Sequence, residues 1–114
     1  MTVMERYLQL AEPARELLIS QVPNEILNGF DLQNFERVVG VTRDEFKLMV
    51  VALRGTSADA SISSAQVIIF RNALAEVMKE LGAEFQTRTG YELTEASAVL
   101  GQLDAFIGAS QGGR

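Results

Sequence analysis

The chain contains no cysteine and no histidine. Without cysteine there is no disulfide framework, zinc ribbon, thiol nucleophile or iron–sulfur ligation. Without histidine the commonest general base and the commonest transition-metal ligand are gone. Tight binding of zinc or copper is therefore not expected, and no residue pattern calls for a cofactor. No serine has a histidine to activate it, and no lysine sits in an obvious apolar setting. Nucleophilic catalysis has no candidate residue, and the expectation is a protein that is not an enzyme. Proline is scarce, with two residues, and tryptophan is absent. Long apolar runs are lacking too. The most apolar stretch, Ala65 to Phe70, is far shorter than the ~20 residues of a membrane span. The first ten residues carry Glu5 and Arg6 within an apolar stretch, which is not the order of a secretory signal. The expected location is cytoplasmic, away from any membrane.

What is present points to one folded domain. The 114 residues are 47% apolar, enough for a single core. Fifteen acids against ten bases leave a net charge of -5. That balance disfavours non-specific attraction to nucleic acid or to anionic lipid.

Apolar spacing and end signals predict helices. Pro13 suits a first helical position, and Ala14, Leu17 and Leu18 follow at helical spacing until Pro23, the predicted stop. Asn24 is expected to cap one short turn closed by Gly29. Asp31 is the predicted cap of a short helix over 32–39 that ends at Gly40. Thr42 and Glu45 form a capping box, opening a helix with Phe46, Met49, Val50 and Leu53 on one face and Gly55 as its stop. Residues 56–64 read as a linker. Ser63 with Gln66 makes a second capping box for the longest helix, which runs to about Leu81 and is stopped by Gly82. Its core face is Val67, Phe70, Leu74, Val77, Met78 and Leu81. Phe85 to Arg88 reads as a short helix or an isolated strand. Thr94 is the predicted cap of the last helix, where Ala96, Val99, Leu100, Leu103 and Ile107 share a face. Residues 110–114 are expected to form a mobile tail. No convincing pair of alternating strands emerges. The expected fold is all-α: a compact single-domain bundle of five to six helices over residues 1–109.

A shift of fifty positions superimposes several landmarks. Phe35, Gly40, Glu45 and Leu53 fall on Phe85, Gly90, Glu95 and Leu103. Met49 and Val50 fall on Val99 and Leu100. The bundle would then contain two pseudo-repeated helical hairpins.

Three polar patterns bear on function. Phe35-x4-Gly40-Val41-x4-Phe46-x2-Met49 resembles the helix-turn-helix motif, in which a glycine permits the turn and apolar anchors set the angle between helices. The resemblance implies a DNA-binding transcription regulator whose second helix meets the major groove, with Arg37, Arg43, Lys47 and Arg54 as the contacting residues. Glu36 stands where the motif has a small residue, and Asp44 and Glu45 open the candidate reading helix, where phosphate would repel them. A packed hairpin is the simpler reading. Glu76, Glu80 and Glu84 have the spacing of a hard-cation site but equally that of a solvated helix face. Thr87-Arg88-Thr89-Gly90 suits either an anion-binding loop or a helix end.

The apolar surplus is more informative. Leu48 and Val51 fall off the main stripe of their helix, as do Ile68 and Ile69 of theirs. Either they are buried on several sides or they face a partner. The expected function is a non-enzymatic protein-interaction module of adaptor or inhibitor type. Its partner would be another protein, with homodimerisation through Leu48, Val51, Ile68 and Ile69. A contiguous basic face would favour DNA, and an exposed apolar patch ringed by acids would favour a protein.

Overall fold

The computed structural model describes residues 6–55 and 61–111, with side chains described as far as residue 109. The chain runs strand, long helix, short helix, long helix, and then repeats that order. Strand β1 (Tyr7–Gln9) leads into helix α1, residues 14–29, which alternates α turns with π turns at Leu17–Gln21 and Glu25–Gly29. Helices α2 (Phe35–Val39) and α3 (Arg43–Arg54) complete the first half. Strand β2 (Ser61–Ser63), α4 (Ser64–Leu81), α5 (Phe85–Thr89) and α6 (Leu93–Gln111) form the second. The fold is an all-α bundle, with a small two-stranded ribbon among the described residues.

That ribbon was not expected. β1 pairs antiparallel with β2, with Leu8 opposite Ile62 at the centre. Three-residue strands show no periodicity to read, and these two partners lie far apart in sequence. The pairing makes Ile62 a fully buried core residue, so the last part of the expected linker is structural. Residues 56–60 of that linker lie outside the described residues.

Both predicted capping boxes form. The Thr42 amide donates to Glu45 Oε1 at 2.8 Å, and the Glu45 amide donates to Thr42 Oγ at 3.1 Å. Ser63 and Gln66 repeat the exchange at 2.9 and 3.3 Å. The fifty-residue echo corresponds to a repeated hairpin. Gly40 and Gly90 end α2 and α5 with φ of 112° and 85°, a backbone region that glycine enters at low cost. Their amides donate to the Glu36 and Gln86 carbonyls, at 2.9 and 2.8 Å. Phe35 and Phe85 are both buried, as are Phe46 and Ala96, and Leu53 and Leu103.

Several element boundaries differ from expectation. Pro23 does not stop α1; the helix winds past it and past Asn24 to Gly29. α2 begins at Phe35 rather than after Asp31, with Asn34 in the left-handed conformation (φ 57°) at its N-cap. The Asp31 carboxylate instead accepts from the Gln33 side-chain Nε2. Residues 85–89 are helix, not strand. α6 starts one residue before Thr94: the Glu92 amide donates to Glu95 Oε1 at 2.8 Å, and the Thr94 hydroxyl donates to Glu92. α6 also runs through the first two residues of the expected tail. The rest of that tail lies outside the described residues.

The core is shared by both halves. The Phe46 ring meets Phe35 edge-on at 5.8 Å between centroids and Phe70 at 6.0 Å. Val50, Leu53, Leu74, Val77 and Leu103 are buried, and Leu100 is half-buried against them. α4 and α6 make the most extensive helix contact in the bundle.

Candidate interaction surface

α3 places Phe46, Val50 and Leu53 inward, so residues between those turns must face out. Leu48 is 72% exposed and Val51 66%. Three residues apart, they share the outer side of the helix. Ile68, on α4, is 40% exposed. Ile69 is different: it packs half-buried against the core, its Cγ1 near Gly40, so its apolar bulk is spent inside the chain. Of the four expected interface residues, the structure places Leu48 and Val51 together, Ile68 on another helix and Ile69 within.

Beside this face lies an open cleft of about 240 Å³ between α1 and α3. Pro23, Leu27, Val50 and Val51 supply its apolar lining, Asn24 and Asn28 its amides, and Lys47 and Arg54 its charges. Arg43, Lys47 and Arg54 are four and seven residues apart, which sets them along one edge of α3. Arg37, exposed on α2, is not among the residues lining the cleft.

Two of these cations are held by the chain's own backbone. Arg54 Nε donates to the Ile19 carbonyl at 3.0 Å and its terminal nitrogen to Ser20 at 3.4 Å. The reason lies in Pro23. In an α-helix the Ile19 carbonyl would accept from residue 23, but proline has no amide hydrogen. A guanidinium from α3 supplies a donor there. Arg43 donates to the Leu27 carbonyl at 3.3 Å and lies over the Phe35 ring, 4.7 Å from its centroid.

Elsewhere, buried and half-buried polar groups join the two halves. Arg88, read from sequence as part of either an anion-binding loop or a helix end, sits in α5 and lies 2.7 Å from Glu25 Oε1, while donating to the Gly29 carbonyl at 3.0 Å. The carboxylate it meets belongs to the same chain. Glu25 is 5% exposed. The place is so tight that a Cβ at Gly29 would collide with the Glu25 carboxylate. Tyr91 donates a short hydrogen bond to Glu16, whose other oxygen accepts from Gln21 at 2.9 Å. The hydrogen bond to Glu16 holds the phenol in its protonated form, pushing its pKa up to about 12. No local pattern announces these contacts, because partners such as Arg88 and Glu25 are remote in sequence.

Of the three acids with cation-site spacing, Glu80 and Glu84 are exposed and Glu76 is half-buried. Among the described residues, no group of three or more acidic side chains is placed to hold a metal ion. No helix among them is long and apolar enough to cross a membrane. Comparison with family models, curated proteins and solved structures finds no match to this chain.

Proposed function

We propose that this chain is a non-enzymatic protein-interaction module, an adaptor or inhibitor acting by surface contact in the cytoplasm. The observation that carries the reading is the outer side of α3, where Leu48 and Val51 stand 72% and 66% exposed next to an apolar cleft. Two large apolar side chains on one helix face gain from being covered, because each removes apolar area from water. The sequence supports the non-enzymatic part, since it lacks histidine and cysteine.

The simplest form of contact is a twofold homodimer, in which one self-complementary patch covers itself. Leu48 and Val51 would lie at its centre, and a stable interface would bury roughly 800 Å² per partner. Sedimentation equilibrium across micromolar concentrations tests this directly. The wild type should show a dimer mass, and Leu48→Lys should give a folded monomer with an unchanged circular dichroism spectrum. A wild-type monomer over the whole range would remove the dimer.

A further inference from the structure

We propose that the cleft between α1 and α3 docks an acidic amphipathic helix of a partner protein. This rests on reading the outer side of α3 as a contact surface, and it adds the chemistry of what binds beside it. The argument is charge complementarity. The chain as a whole has fifteen acids and ten bases, yet Lys47 and Arg54 are the charged residues lining the cleft. None of the described lining residues is a carboxylate. Asp44, the acid three residues before Lys47, lies outside that lining.

The cleft thus offers an apolar floor along one basic edge. Pro23 and Leu27 are one turn apart on α1, and Lys47 to Arg54 spans about two turns, or ~10 Å, of α3. A helix with apolar residues at every third or fourth position fills such a floor, and acids flanking those residues then meet the basic edge. The cleft carries cations along that edge and no carboxylate in its described lining, so it selects an acidic partner. An isologous contact here would bring two copies of this basic edge together without carboxylates in the lining.

A basic stripe also suits nucleic acid, but two features disfavour it. Arg43 lies outside the lining, turned onto the Leu27 carbonyl and over the Phe35 ring, so the row of cations a phosphate backbone would follow is shortened to Lys47 and Arg54. The floor between the walls is apolar, which phosphate does not use.

Fluorescence anisotropy with the full chain tests the proposal. The probes are a synthetic helix of about three turns with leucines on one face flanked by glutamates, its lysine-flanked counterpart, and a short DNA duplex. The acidic peptide should bind at least about tenfold more tightly than the basic one. Lys47→Glu should weaken the acidic peptide about tenfold, and raised salt should weaken it as well. Self-association is read by sedimentation of the chain alone, and peptide binding by the anisotropy of the labelled peptide. Sedimentation and anisotropy therefore fail separately. Absence of acidic-peptide binding, equal binding of both peptides, indifference to Lys47→Glu, or DNA bound more tightly than the acidic peptide would each overturn the proposal.

Discussion

Arg54 shows how a single side chain can repair a break in backbone hydrogen bonding. Pro23 withholds an amide from the Ile19 carbonyl, and the Arg54 guanidinium donates to it instead. A hydrogen bond from a charged donor contributes about 1.5–3 kcal/mol, and less where solvent reaches it. Arg54→Met should therefore destabilise the fold by about 1 kcal/mol in urea unfolding. In the Pro23→Ala background the same change should cost less, because the restored amide can serve Ile19. Equal costs in both backgrounds would dissociate Arg54 from the proline. Glu25 and Arg88 give a second case. Arg88→Met leaves a carboxylate that is only 6% exposed without its cation, whereas Glu25→Gln removes the charge itself. Arg88→Met should be the more destabilising of the two, and the reverse order would mean that the carboxylate is not held by the pair. Tyr91 makes a pH prediction. Its pKa lies above that of an unfolded tyrosine, so the contribution is complete below pH ~10 and is lost as pH rises toward about 12. Spectrophotometric titration should show one late phenol step, which Tyr91→Phe removes.

At the scale of elements, legibility followed the distance over which each signal acts. The boxes at Thr42 and Ser63 depend on residues three positions apart, and the sequence pattern alone located them. Gly40, Gly82 and Gly90 were equally local. Pro23 misled because the Arg54 guanidinium that donates to the Ile19 carbonyl comes from another helix and leaves no mark on the local pattern. Asn34 took the cap expected of Asp31 by adopting a left-handed backbone, which asparagine tolerates better than most residues. The β1–β2 pairing joins segments separated by most of the first half, and three residues carry too little pattern to declare a strand. Of the surface residues singled out, Leu48 and Val51 were set off the buried stripe of α3 by helical spacing, but whether another helix covers that side depends on packing, and in the fold it is exposed. Ile69 is instead half-buried, because α2 closes over its side of α4 at Gly40. The Thr42 cap makes the prediction at this scale. Thr42→Ala removes the acceptor for the Glu45 amide, and N-cap losses cost about 0.5–2 kcal/mol. The Glu45 carboxyl is held below its ordinary pKa, first by the Thr42 amide and then by the Thr42 hydroxyl. Its part of the box should therefore weaken as pH falls through that range, and Thr42→Ala should show a shallower acid dependence of stability.

The whole molecule repeats strand, long helix, short helix and long helix, but the two copies are not two folding units. Phe46 of the first half packs on Phe70 of the second, and α2 lies against α4. β1 needs β2 to satisfy its ladder, and the buried Glu25 carboxylate of α1 needs Arg88 of α5. Separating the halves would expose Phe46, Phe70 and Ile62, and would leave a buried acid without its cation. The free energy of each half is thus contained largely in the other, so unfolding should be a single cooperative step. The chain supplies its own probes, because it has no tryptophan and its two tyrosines, Tyr7 and Tyr91, lie one in each half. Tyrosine absorbance of Tyr91→Phe reports on the first half, and that of Tyr7→Phe on the second. After correction for the stability change of each variant, urea midpoints from absorbance and from far-ultraviolet circular dichroism should coincide in both. Leu74→Ala, at a fully buried site in α4, should lower stability by about 2–5 kcal/mol and move both tyrosine signals together. Movement of the Tyr91 signal alone would show that the second half unfolds by itself, and that the contacts between the halves are too weak to join them.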